Sequence, residues 1–392
     1  MTAAAKGWCP SIGRPMAAAD GLILRVKPPG GRLRGGDVLA LAEAAAEGGN
    51  GLIDLTARGN LQFRGFGEGA ATNFAALAVA RGLALPEGLV EQRRNILVAP
   101  LAGDGARALA AALAGALADE DRFGALPAKF AFAIEDDRGL PLGPGHGDIA
   151  CRLGGDIADL LLPGATARVA AGAALPAMLA LVDRFLAVPG ARRLRDLHPG
   201  VLTAGLAGVG PAPAPLAPPA PGPLAHGGWR GVAVGFPSGQ GNVRQWRQLA
   251  RLAGDGWLYP TPWRSVLVPG DADTMVPVLD RLGLVTAAGD PRLAVIACTG
   301  RPGCAAASVP TRPDAARLLD LLAPPLPAGG IHLSGCAKGC AHPGPAAVTL
   351  TGNAGHYDLV LGGRAGAPPI ATGLDIDEAA DLITTLLESR RA

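Results

Sequence analysis

Aromatic side chains are scarce, at 4% of 392 residues, while alanine and 58 glycines dominate. With so little bulk, helices are expected to pack closely. An excess of one charge is also missing: 35 Lys and Arg stand against 33 Asp and Glu, a net charge of +2. Bulk charge therefore gives no footing for nucleic acid or an anionic membrane, and any anion recognition must be local. No run of about 18 strongly apolar residues occurs, so no membrane-spanning helix is expected; the Ala-rich stretch 108–118 reads as a soluble helix. The opening MTAAAKGWCPSIGRPM lacks the apolar centre of a signal peptide. These absences lead to the expectation of a cytoplasmic protein. There, six cysteines point to thiol or metal chemistry rather than disulfides.

Residues 205–226, GLAGVGPAPAPLAPPAPGPLAH, have the composition of an extended, semi-rigid linker. The segments on either side look alike. Residues 20–65 and 231–270 each read strand, Gly/Pro loop, amphipathic helix, strand, turn, strand, with helices placed at 38–47 and 244–253 by apolar spacing. In the first copy the strands fall at 22–27, 52–56 and 61–64. Such a repeat predicts two subdomains related by a pseudo-two-fold axis. Each half continues with α/β material. The first has strands at 95–100 and 129–134 around a helix at 104–118. The second has strands at 293–298, 331–335, 346–351 and 356–362, a helix at 313–322 and another at 376–390, with Asp375 or Asp377 as its N-cap.

Four cysteines stand out. Cys298 and Cys304 flank CTGRPGC; Cys336 and Cys340 flank CAKGC. Both pairs follow apolar strands and lie in Gly-rich loops, where the backbone can approach bulky inorganic sulfide. Soft thiolates select iron–sulfur, zinc or copper(I). Zinc knuckles favour two to four residues between paired ligands, so the five-residue gap of the first pair favours an iron–sulfur cluster over zinc. Cys9 and Cys151 have no partner at a ligand spacing and read as small buried residues.

The pattern CxxxxxC followed by CxxxC resembles the cluster motif of the siroheme-dependent sulfite and nitrite reductases. TARGNLQFRG (56–65), RRNILVAPLAG (93–103) and LPAKF (126–130) resemble other motifs of that superfamily, in the same order. Within it, WCPSIGRPMAAADGLILRV (8–26), TPWR (261–264) and SGCAKGCAHPG (334–344) are similar to the precorrin-3B synthase family of aerobic cobalamin biosynthesis. The resemblance implies an α+β, pseudo-two-fold architecture with two ferredoxin-like half-domains (1–80 and 227–285) and two α/β domains (81–204 and 286–392), joined through 205–226. It implies a 4Fe-4S cluster on Cys298, Cys304, Cys336 and Cys340, with a mononuclear non-haem iron as a further expected cofactor. It also implies a monooxygenase that uses dioxygen and a nicotinamide-linked electron donor. Its substrate would be precorrin-3A, hydroxylated at C20 with closure of a ring-A lactone. The alternatives are a siroheme-containing sulfite or nitrite reductase, and a non-enzymatic iron–sulfur or zinc protein.

Where those reductases carry Lys-Phe-Lys, this chain has Lys129-Phe130-Ala131. Losing one cation from a water-poor anion site weighs against reduction of sulfite or nitrite. Other cations remain in matched motifs: Arg25, Lys27, Arg32, Arg58, Arg64, Arg93, Arg94 and Lys129. Arginine suits the acetate and propionate arms of a corrinoid precursor through its bidentate fork. Arg58, Arg94, Lys129, Arg25 and Arg64 are therefore the expected substrate contacts. Six histidines, at 146, 198, 226, 332, 342 and 356, show no helical ligand spacing, and none is assigned to a metal. His332 alternates with apolar residues in its strand and reads as structural.

Overall fold

The structure is a computed structural model that describes residues 9–389 apart from Glu120 and Pro215. Among these residues no helix is long and apolar enough to cross a membrane. The Trp that opens the WCPS motif and the last residue of the expected helix 376–390 lie outside the described residues.

The duplication runs through the whole chain. One five-stranded antiparallel sheet has the order Met16–Ala18, Gly21–Val26, Leu61–Phe66, Leu52–Leu55 and Gln240–Asn242. A second has Gly222–His226, Trp229–Gly235, Ser265–Pro269, Trp257–Pro260 and Leu33–Arg34. The last strand of each comes from the other half. Leu33 and Arg34 pair with Leu258 and Trp257, while Gln240–Asn242 pairs with Leu52–Asp54. Each exchanged strand leads directly into the helix of its own half, Gly35–Gly48 or Val243–Ala253. These two helices pack against each other, and a side chain at Gly35 would collide with the Gly254 carbonyl. A reciprocal cap starts the second helix, with Gln245 N–H on Asn242 Oδ1 at 3.0 Å and Asn242 N–H on Gln245 Oε1 at 2.8 Å. One core spans both halves, with Val38, Leu41 and Phe63 joined to Phe236, Trp246 and Leu249.

The α/β domains repeat as well. In the first, Ile96–Val98, Phe132–Asp136 and Ile149–Gly154 run parallel, followed by antiparallel Ile157–Leu162, Ala165–Ala170 and Ala207–Pro211. In the second, Val295–Ala297, Ile331–Ser334 and Ala346–Asn353 run parallel, followed by antiparallel His356–Gly363 and Ala371–Leu374. Helices Asp104–Asp119 and Thr311–Leu321 follow the first strand of each. The backbone agrees in detail. Ala99 N–H donates to Ile134 O at 2.8 Å and Cys298 N–H to Leu333 O at 3.1 Å. Two residues on, Leu101 (φ 65°) and Gly300 (φ 64°) share the left-handed conformation.

Two details differ from expectation, and a third is decided between the alternatives. The segment 205–226 is extended, but its ends are the strands Ala207–Pro211 and Gly222–His226 rather than free linker. The strand expected at 129–134 begins only at Phe132, because Phe130 N–H closes a turn onto Pro127 O at 2.8 Å and Asp148 takes the Ala131 N–H at 2.9 Å. Of the two candidate caps for the last helix, Asp375 is used. Its Oδ1 accepts from Glu378 N–H, and Glu378 Oε2 accepts from Asp375 N–H, both at 2.8 Å.

Candidate functional site

The two cysteine loops lie beyond the carboxyl ends of neighbouring parallel strands, where α/β sheets place their sites. Cys298 follows Val295–Ala297, and Gly335-Cys336 follows Ile331–Ser334. Cys298 Sγ accepts the Gly335 N–H at 3.2 Å, which ties the two loops together. Thr311 Oγ1 donates to Cys298 O at 2.8 Å, Cys304 N–H to Gly300 O at 2.9 Å, and Ser334 Oγ to Cys336 O at 2.7 Å. A Cβ on Gly335 would meet that of Ala307 at 2.5 Å, so the loops approach as only glycine permits. All four thiols are free; Cys340 is exposed and the others half-buried. The Cys340 thiol is held above its ordinary pKa, first by desolvation and then by Cys336, Cys298 and Cys304, with Lys338 opposing. The two loops that carry the four cysteines are thus adjacent.

A donor set of four thiols in Gly-rich loops fits a cubane cluster. A zinc ion would need its sulfurs about 2.3 Å from one point. Among the described residues no three His, Cys, Asp or Glu side chains are placed around a single ion. Among the described residues the expected mononuclear iron likewise finds no ligand set.

Two arginines from the ferredoxin-like halves reach this region. Arg64, 5% exposed, grips Asp20 with both fork arms, at 3.0 and 2.9 Å, and donates to Gly303 O beside Cys304 at 2.7 Å. Arg264 donates to Ala341 O beside Cys340.

The other expected cations separate into two groups. Arg94 holds the buried Glu91 through two bonds of 2.8 Å and Leu83 O at 3.1 Å. The forks of Arg94 and Arg64 are thus filled by carboxylates of the chain itself. Lys27 is buried under the backbone carbonyls of Glu91 and Gln92, at 2.6 and 3.2 Å, and burial pushes its pKa down to about 7. Arg93 caps Leu117 O at 3.1 Å, and Arg32 lies over the Trp257 ring at 4.1 Å. Arg25, Arg58 and Lys129 form the second group. Arg58 donates to Lys129 O at 3.0 Å, Lys129 itself being exposed. Arg25 donates to Gln62 Oε1 at 2.7 Å and keeps a buried Nε without a partner. Burial is the main cause that lowers the pKa of both guanidiniums, and the nearby Cys9 opposes it at each. Cys9 is half-buried beside these two cations, which no ligand spacing in the sequence signals. Cys151 is the small buried residue expected, its thiol pushed up to about 12 by burial first and then by Asp159 and Glu135.

A cleft of about 630 Å³ has walls that include Ala57, Trp263, Arg264, Ala341 and His342. Both halves and the cysteine loop thus meet at one opening. Trp263 also reaches the first α/β domain, with the His146 ring edge-on at 6.4 Å. His332 is fully buried with neither ring nitrogen bonded, and burial lowers its pKa to about 4, so it is neutral. His342 stands edge-on to it at 5.6 Å.

Residues 14–79 match the model of the nitrite/sulfite reductase ferredoxin-like half domain. A precorrin-3B synthase from Sinorhizobium sp is 32% identical over 395 aligned positions, which cover 93% of this chain and 85% of that protein. The chain belongs to the precorrin-3B synthase family. It is accordingly an enzyme of the oxidoreductase class. Mycobacterium tuberculosis NirA superposes with a TM-score of 0.69 at 20% identity, covering 94% of this chain and 80% of that one. The fold is therefore that of the sulfite and nitrite reductases, with the two ferredoxin-like halves and two α/β domains that the motifs implied.

Proposed function

We propose that this member of the precorrin-3B synthase family hydroxylates precorrin-3A at C20, with closure of the ring-A acetate to a lactone. Dioxygen would supply the inserted oxygen atom. The second oxygen atom would leave as water, taking two electrons and two protons from a nicotinamide-linked donor. A 4Fe-4S cluster on Cys298, Cys304, Cys336 and Cys340 would pass those electrons singly. The observation that carries this reading is the shared cleft: its walls include Ala57, next to Arg58, and Ala341, next to Cys340.

The residues have separate tasks. Arg25, Arg58 and Lys129 carry charge not already committed to a carboxylate in a bidentate pair. They hold the acetate and propionate arms, which surrender hydration on entering and require charge-assisted partners. Trp263 offers a flat apolar wall to a macrocycle. Cys340 is the exposed thiol of the four and would be the cluster ligand most open to solvent. Ala131 stands where the reductases place a second lysine, and it is buried with its N–H on Asp148. A small inorganic anion therefore lacks one cation at that position.

The test begins with anaerobic purification and with iron and sulfide counts. Electron paramagnetic resonance and turnover of precorrin-3A under oxygen follow. Oxygen-dependent conversion without haem bands supports the proposal. Robust sulfite or nitrite turnover in the presence of siroheme, with precorrin-3A unchanged, would replace it by the reductase reading.

A further inference from the structure

The two halves carry the same turn at Thr56–Asn60 and Thr261–Ser265. Thr56 N–H donates to Asn60 O at 3.0 Å and Thr261 N–H to Ser265 O at 2.9 Å. Thr56 Oγ1 accepts the Arg58 N–H at 3.3 Å, and Thr261 Oγ1 accepts the Trp263 N–H at 3.2 Å. The fourth residue is left-handed in both: Gly59 at φ 64° and Arg264 at φ 58°. Glycine sits there relaxed, whereas an L side chain is strained. Strain of this kind persists where the side chain does something that offsets it.

The Arg264 side chain crosses to the cysteine-bearing domain and donates to Ala341 O, the carbonyl next after Cys340. It is half-buried, and desolvation lowers its pKa, with Arg312 adding to the effect and Asp54 opposing it. Asp54 is engaged elsewhere, with Arg312 and Gln240 both on its Oδ1 at 2.9 and 2.8 Å. Among the described residues Arg264 makes no ion pair. Arg64, the other arginine that reaches a cysteine loop, is neutralised by Asp20. A cation withdrawn from much of its water is normally paired. Beside Cys340 the natural counter-charge is the cluster, since four thiolates give a cubane a net negative charge that grows by one on reduction.

We infer that Arg264 is a positioning residue for the cluster, fixing the backbone after Cys340 and supplying an uncompensated positive charge that favours the reduced state. The inference rests on the cluster assignment above. The discriminating variants are R264G, which keeps the turn because glycine occupies the matching position, and R264K, which keeps the charge and loses the fork. Iron and sulfide counts on the wild-type protein come first; their absence overturns the cluster reading and this inference with it. In loaded protein the midpoint potential is followed by electron paramagnetic resonance, and the rate of iron loss to a chelator by absorbance. R264G is expected to fold as judged by circular dichroism. Its reduction equilibrium should fall at least tenfold, or 59 mV for a one-electron couple, and its iron loss should quicken at least tenfold. R264K should recover most of the potential but not the chelator resistance. If R264G cannot keep its cluster, the potential of R264K decides: a value near wild type upholds the charge role, and a fall of 59 mV or more refutes it. Wild-type potential and wild-type iron loss in R264G would overturn the inference.

Discussion

Lys27 lies in a motif that would supply a fixed cation, yet it is buried to 4% exposure with a pKa pushed from 10.5 down to about 7. Burial is the main cause, with Arg94 and Arg25 adding to it and Glu91 opposing. The sign follows from proton linkage. Below about pH 7 the lysine is charged in both folded and unfolded chains, and the folded state bears the desolvation penalty. Between about 7 and 10.5 only the unfolded chain holds the proton, so stability rises with pH by about 1.4 kcal/mol per unit. The full span is about 5 kcal/mol, reached above the ordinary lysine pKa. Lys27→Met removes the titrating group and leaves the Glu91 and Gln92 carbonyls without their donor. Anaerobic urea unfolding of both proteins from pH 7 to 10 isolates the effect. The difference in stability should move toward the wild type as pH rises. Parallel curves across that range would show that Lys27 keeps an ordinary pKa, and the burial argument would fail.

Arg64→Met should cost about 3 kcal/mol in urea unfolding, the low end for one partner of a buried pair because Asp20 keeps some contact with solvent; a cost under about 1 kcal/mol would mean that the Asp20 and Gly303 bonds are idle. Replacing any of Cys298, Cys304, Cys336 or Cys340 by Ala should abolish the brown absorbance and lower the melting temperature, since bound metal contributes folding energy; unchanged spectra would remove the cluster assignment. Arg58→Ala should weaken tetrapyrrole binding by about 1–3 kcal/mol, read by fluorescence or absorbance titration, and an unchanged affinity would place the carboxylate arms elsewhere. Asp375→Ala should destabilise the last helix by about 1 kcal/mol, checked by amide exchange in 376–389, where unaltered protection would contradict the capping geometry.

The order of elements was legible because each copy repeats the same periodicities between Gly and Pro punctuation, while the last cap was narrowed only to Asp375 or Asp377, and the reciprocal bonds with Glu378 select Asp375. The cysteine loops were legible for a chemical reason, since four soft ligands after two strands have few uses. The exchanged strands were not. Leu33–Arg34 and Gln240–Asn242 span two and three residues, too short to show an alternation. The fate of each arginine was equally hidden. Arg94 and Arg58 sit in motifs of similar appearance, but Glu91 is three residues from Arg94 on the same short helical segment and claims it. Arg58 meets a backbone carbonyl 71 residues away. Cys9 acquires its cationic neighbours only through folding.

The crossed strands also set a timetable for synthesis. Leu33–Arg34 cannot pair until Trp257 and Leu258 have been made, more than 220 residues later. At about 5–20 residues per second this is a wait of roughly 10–45 s. Over most of that interval the Leu52–Leu55 edge, whose partner is Gln240–Asn242, also stands open. An unpaired apolar edge is a template for the wrong neighbour. Chains interrupted before residue 240 should therefore be the aggregating fraction on expression, and neither half should yield a stable product when made without the other.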